Sequence, residues 1–159
     1  MAEDAEMDGG CTCGAVRYRL HGAPMFVHCC HCTKCQTETG SAFVLNALIE
    51  ADRVEVRQGS PETVPTPTDS GRGQQITRCP DCRVALWSTY GGREAIRFVR
   101  IGTLDDPGAL TPDIHIYTRS KLPWLRLPEG VTAVDAYYDP QTMWPAASLA
   151  RRNAALGRM

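Results

Sequence analysis

The sequence predicts a mainly β domain. Several short segments alternate apolar and polar residues, glycine and proline punctuate them at close spacing, and helix signals are confined to one short turn and the C-terminal stretch. In Gly14–Leu20, Val16, Tyr18 and Leu20 alternate with Arg17 and Arg19, the period of a half-buried strand. A second strand is expected over Met25–Cys29. Cys32–Thr39 lacks alternation and stops at Gly40, as a short helical turn would. Ser41–Ile49 is apolar enough for a well-buried strand, and Val54 and Val56 alternate with Arg53, Glu55 and Arg57. Ser60–Gly73 is broken by proline and glycine and reads as a mobile loop. Gln74–Arg78, Ala85–Ser88, Ile96–Ile101 and Asp113–Tyr117 are further strands. The phase shift between Phe98 and Val99 suggests a bulge. Pro145–Met159, rich in alanine and arginine, reads as a terminal helix. The expected organisation is a disordered N-terminus over 1–8, one β domain over 9–140 and a tail over 141–159.

Composition narrows the function classes. A formal net charge of −1 gives no electrostatic reason to expect nucleic acid or an anionic membrane as partner. The acidic first ten residues lack the apolar core of a secretory signal, and no run reaches the ~18 apolar residues of a membrane span. The expected address is cytoplasmic. Reducing compartments keep thiols free, so the eight cysteines read as metal or catalytic groups before disulfides.

The cysteines fall into three groups: Cys11-Thr-Cys13, Cys29-Cys30-His31-Cys32-Thr-Lys-Cys35, and Cys79-Pro-Asp-Cys82. The last is shaped like a zinc knuckle, whose tight turn aims two thiolates at one point. A CxC on an extended strand would place both side chains on one face. Together Cys11, Cys13, Cys79 and Cys82 make the tetrahedral set that structural zinc requires. Cys30, Cys32 and Cys35 then form a second set with one position open, the mark of a reactive zinc. Cys29, the strand neighbour of Cys30, should point the other way, as a small buried hydrophobe. Three readings compete: Cys29 in place of Cys30, Cys29 closing a second Cys₄ site, and an iron–sulfur cluster. His28 and His31 read as residues beside the ligands or at the surface.

These motifs resemble the glutathione-dependent formaldehyde-activating (GFA) enzyme family. The resemblance rests on Gly10-Cys-Thr-Cys-Gly-Ala-Val-Arg-Tyr18, Cys30-His-Cys-Thr-Lys-Cys-Gln36 with Gly40-Ser-Ala-Phe43, and Arg78-Cys-Pro-Asp-Cys82. Gly102-Thr-Leu-Asp-Asp-Pro107, Pro112-Asp-Ile-His-Ile116, Ser120-Lys121 and Trp124 follow in order. It implies a β-tent fold of antiparallel sheets with two zinc ions per chain. Cys11, Cys13, Cys79 and Cys82 match the structural site, and Cys30, Cys32 and Cys35 the catalytic one. Cys29 departs from the pattern, and the residues after Pro140 lie outside it. The implied activity is a carbon–sulfur lyase reaction run in reverse, joining a small thiol such as glutathione to a small aldehyde such as formaldehyde.

The chemistry suits a three-thiolate zinc. Its net charge near −1 disfavours water activation and favours a substrate thiol. His31, His115, Asp105 or Asp106 are candidates to move the proton, and Arg78, Arg119 or Lys121 to bind glutathione's carboxylates. The competing function is a non-catalytic scaffold with two closed zinc sites.

Overall fold

The computed structural model describes residues 5–68 and 70–157. Among them are ten strands: β1 Glu6–Gly10, β2 Arg17–His21, β3 Phe26–Cys30, β4 Val44–Glu50, β5 Val54–Gln58, β6 Glu62–Thr66, β7 Gln74–Arg78, β8 Ala85–Tyr90, β9 Ile96–Arg100 and β10 Ile114–Ile116. Three α-helices accompany them, α1 Thr33–Thr39, α2 Pro140–Met143 and α3 Ala146–Ala155. The strands form a three-stranded sheet, β1-β2-β5, and a seven-stranded sheet, β10-β3-β4-β9-β8-β7-β6. The fold is therefore mainly β. No helix among the described residues is long and apolar enough to cross a membrane.

The two faces of the large sheet are covered differently. On one, Val27, Ala47, Ile49 and Val99 pack against Val16, Tyr18, Leu20 and Val54 of the small sheet. Tyr18 meets Trp87 edge-on, with ring centroids 5.6 Å apart. Full burial of one such side chain is worth roughly 1.5–3 kcal/mol, so this layer is the principal source of stability. On the other face, Phe26, Leu48, Ile96, Ile114 and Ile116 pack beneath the C-terminal segment. Trp144 stacks on Phe26 at 4.9 Å, and Leu149 of α3 joins the same cluster.

Several expectations are corrected. Residues 6–8 are not disordered: they belong to β1, whose whole length pairs with β2. Residues 1–4 lie outside the described residues. The expected loop over 60–73 contains β6, which pairs with β7 from Glu62↔Arg78 to Thr66↔Gln74. An edge strand open to solvent on both faces needs no apolar period and tolerates Pro65, because only one side must supply hydrogen bonds. No bulge separates Phe98 from Val99; Leu48↔Phe98 and Ala47↔Val99 are consecutive rungs. Strand β9 carries apolar residues on both faces because both faces are covered. The sheets are not wholly antiparallel either, since β10 runs parallel to β3. Segment 141–159 is docked on the sheet as far as residue 157, with Trp144 buried. The short turn over 32–39 and the terminal helix do form, as α1 and α3.

Candidate metal centres and cavity

The first centre is made by two hairpin turns, one from each sheet. Cys11–Val16 joins β1 to β2: the Cys11 N–H donates to Val16 O at 3.1 Å, and the Gly14 N–H to Cys11 O at 3.1 Å. Cys79–Val84 joins β7 to β8 in the same way: the Cys79 N–H donates to Val84 O at 3.0 Å, and the Arg83 N–H to Cys79 O at 3.1 Å. Each turn has a left-handed residue, Gly14 at φ 79° and Arg83 at φ 63°. The CxC pair therefore sits in a turn, not on an extended strand. Cys11 and Cys13 sulfurs are 3.5 Å apart, Cys13 and Cys79 sulfurs 3.7 Å. All four lie within 4.8 Å of one another. A zinc tetrahedron with 2.3 Å bonds has edges of about 3.8 Å, so the set fits that ion. The N–H groups of Val84 and Cys13 pull Cys82 down to about 6, and the Val16 N–H donates to Cys11 Sγ at 3.2 Å. These amides favour thiolates.

The second centre lies at the corner between β3 and α1. Cys30 ends the strand, Cys32 caps the helix with its sulfur accepting from the Cys35 N–H at 3.3 Å, and Cys35 faces inward from the first turn. Left-handed Gly40, at φ 62°, closes the helix by donating to Gln36 O. The corner is locked from outside: Gln36 Nε2 donates to His31 O at 2.8 Å and to Ser120 O at 2.9 Å, and Ser120 Oγ donates to His31 O at 3.0 Å. The three sulfurs lie within 4.8 Å of one another and also suit zinc. Hydrogen bonds with Cys30 and Cys35 bring Cys32 down to about 2. Hydrogen bonds with Cys32 and Cys35, added to by burial, drive Cys30 up.

These cysteines help line a cavity of about 610 Å³. Among the described residues its wall carries Lys34, Arg72, Arg93, Arg100 and Arg119, and the carboxylate of Glu38. Glu38 is itself ion-paired with Arg78. Arg100 is 6% exposed; its guanidinium donates to Asn46 Oδ1 and to Ser88 Oγ at 3.0 Å, and its Nε has no partner. Both partners are neutral, so this buried cation has no carboxylate counter-ion among the described residues and faces the thiols instead. Tyr117 and Tyr137 close the remaining wall. Tyr117 adopts a left-handed φ of 57°, uncommon for a bulky residue and a mark of a constrained position. Burial, then the nearby thiols, push Tyr117 up, so its phenol stays protonated.

The structure separates several residues that the sequence grouped. His31 and His115 are not on the cavity side. Strand alternation turns them, with Cys29, away from Cys30 and Ile116, and neither lines the cavity. Asp105 is ion-paired with Arg17 and its N–H donates to Asp8 O, placing it beside the small sheet. Asp106 caps a short turn through the Gly108 N–H. Arg78 is taken by Glu38, and Lys121 Nζ donates to Leu125 O at 2.5 Å; only Arg119 of the three carboxylate candidates reaches the cavity. Sequence reasoning missed Arg100, Tyr117 and Tyr137. A signal existed for Arg100, a charge in phase with the apolar Ile96 and Phe98 of β9. None existed for Tyr137, whose segment is brought to the wall by long-range backbone bonds such as Tyr117 N–H to Ala136 O at 3.2 Å.

A crystal structure of a Rhodobacter sphaeroides protein, a structural genomics target, is 17% identical over 67% of this chain and 92% of that one, with a TM-score of 0.49. The family described as glutathione-dependent formaldehyde-activating enzyme matches residues 6–120, which include both cysteine centres. The chain belongs to the glutathione-dependent formaldehyde-activating enzyme family.

Proposed function

We propose that the protein is a zinc-dependent carbon–sulfur lyase that adds a small anionic thiol, glutathione or a relative, to a small aldehyde such as formaldehyde. The observation that carries this reading is a three-cysteine centre in the wall of a cavity lined by five cationic side chains. Two zinc ions per chain are proposed, a structural one at Cys11, Cys13, Cys79 and Cys82 and a reactive one at Cys30, Cys32 and Cys35. The reactive ion, when bound, supplies a soft position that favours an ionised thiol.

The chain's own residues supply the rest. Arg72, Arg93 and Arg119 hold the substrate carboxylates, as guanidinium forks do. Arg100 balances the negative charge that gathers on the thiolates. In the addition, the substrate sulfur bonds to the aldehyde carbon, the C=O π pair moves to oxygen, and a proton replaces the one the thiol lost. Tyr117 is the donor of that proton in this reading, because its phenol is protonated and shares the cavity with the thiols. The scaffold reading needs Cys29 as a fourth ligand closing the second centre, but Cys29 Sγ abuts His31 Nε2 at 3.5 Å instead.

Calorimetry with glutathione and S-methylglutathione tests the reading. Glutathione is expected to bind more tightly, less so as pH falls and less so in Cys35→Ser, because the sulfur must ionise to ligate. Equal affinity for the two compounds would show that the peptide arms alone bind, and would sink the mechanism.

A further inference from the structure

Cys29, His31 and His115 are unused by that mechanism, and the sheet brings them together. Parallel pairing of β10 with β3 sets His115 directly opposite Cys29. The two-residue strand period carries on to His31, which shares the side of Cys29. Cys29 Sγ lies 3.5 Å from His31 Nε2, which lies 2.9 Å from His115 Nδ1, and the three donor atoms are all within 4.8 Å of one another. For a tetrahedral ion with bonds of about 2.3 Å to sulfur and 2.0–2.1 Å to nitrogen, the S–N edge is about 3.5 Å and the N–N edge about 3.3 Å. The sulfur edge already fits, and the nitrogens need part by only a few tenths of an ångström.

A histidine pair held by one hydrogen bond accounts for less than this. It needs no thiol at the shared nitrogen, yet Cys29 Sγ stands 3.5 Å from it. The backbone of His31 is also fixed beforehand: its N–H donates to Ile116 O at 3.0 Å, and its carbonyl accepts from Gln36 and Ser120. The ring is thus preorganised, which favours ligation.

We propose that Cys29, His31 and His115 form a third metal site, distinct from the two built by the other seven cysteines, for a borderline divalent cation such as zinc or cobalt(II). One thiolate and two imidazoles suit these ions. Binding releases the Cys29 thiol proton, and the imidazole proton between the rings moves to an outer nitrogen. The fourth position falls to solvent on the half-exposed His115 side. The filled site carries a net charge near +1, against near −1 for the Cys30 trio, so it favours water or an anion where the trio favours a thiol.

The test is anaerobic titration of stripped, full-length protein with cobalt(II), read by elemental analysis and by the visible cobalt spectrum. The wild type is expected to take up three equivalents, and Cys29→Ala and His115→Ala two each, with circular dichroism unchanged. His115→Ala decides the matter if Cys29→Ala fails to fold, because its half-exposed ring can be removed without opening the core. Uptake by His115→Ala equal to the wild type overturns the site. Cys35→Ser keeps the two proposals separate, since it should lose a different equivalent. Loss in Cys35→Ser alone condemns only the third site, and loss in His115→Ala alone condemns only the trio.

Discussion

The two cysteine centres differ in backbone more than in donors. Cys11, Cys13, Cys79 and Cys82 sit where two hairpin turns from different sheets meet, surrounded by peptide N–H groups. Cys30, Cys32 and Cys35 sit at a strand-to-helix corner, against a cavity, a buried arginine and protonated tyrosines. Amide donors stabilise thiolates without asking for another ligand, and in the proposed function the first centre is complete in itself. A cavity lined by Arg72, Arg93, Arg100 and Arg119 suits an anion, and in the proposed function the second centre has one position for it. On the proposed reading, what surrounds the cysteines separates a staple from a reactive position.

The harshest way to break this contrast is to remove one ligand from each centre. Cys79→Ser is expected to abolish cooperative folding, because structural zinc binding is worth on the order of 10–16 kcal/mol, as much as a domain's whole stability. Cys32→Ser is expected to keep the fold and lose only the more labile zinc. Thermal melts followed by circular dichroism check both. Equal melting of the two variants would erase the distinction between the centres.

Arg100 sharpens the contrast at one centre only. A buried guanidinium without a carboxylate is costly unless an anion faces it; Arg100 lies close enough to Cys35 to favour its ionisation, and in the proposed function the anion is the metal-bound thiolates. Arg100→Met is therefore expected to weaken zinc at the Cys30 centre by about 10–100-fold, with Arg100→Lys restoring part of it. Zinc at the Cys11 centre should not change, which controls for misfolding. Competition with a chromophoric chelator measures both. An unchanged second affinity in folded Arg100→Met would remove the counter-ion role.

How much of this was legible in the sequence depends on how locally each feature is specified. Val16, Tyr18 and Leu20 announced β2 because one of its faces packs on the core and the other does not. The cysteine sets were legible because ligand chemistry leaves few ways to combine a CxC with a CxxC. Strand β6 was hidden because nothing buries its side chains, so its pairing lives in the backbone alone. Strand β9 misled in the opposite way: with both faces covered, Phe98 and Val99 are both apolar and mimic a slipped register. The ion pair of Asp105 with Arg17 spans 88 residues, and no local pattern reports it. The alternation that turned Cys29 away from Cys30 also turned His31 away, a step available from sequence and not taken.

The tail offers the smallest and most selective test, because it packs in the apolar cluster of Cys30 and Cys35 and not in that of Cys11 and Cys79. Arg151 of α3 holds both carboxylate oxygens of Glu50 at 2.7 Å and donates to Ala23 O at 3.0 Å, pinning the segment that carries Tyr137 and Trp144. Burial alone would raise Glu50, but the Arg151 fork outweighs it and holds the carboxyl below its ordinary value. A depressed carboxyl contributes stability that is present above its unfolded pKa, about 4.3, and is lost as pH falls through the lower folded value. Arg151→Met is therefore expected to cost about 1–3 kcal/mol at pH 7, or roughly 2–4 °C of melting temperature per kcal/mol, and less below pH 4. With the tail loosened, Tyr137 no longer completes the cavity, and glutathione affinity should fall while zinc at the Cys11 centre stays as it was. Melting at pH 7 and pH 3.5, beside calorimetry with glutathione, checks the two consequences separately. Full glutathione affinity in a variant with a measurably loosened tail would mean that the strands and α1 alone form the binding wall, and that the contrast between the centres owes nothing to the C-terminal segment.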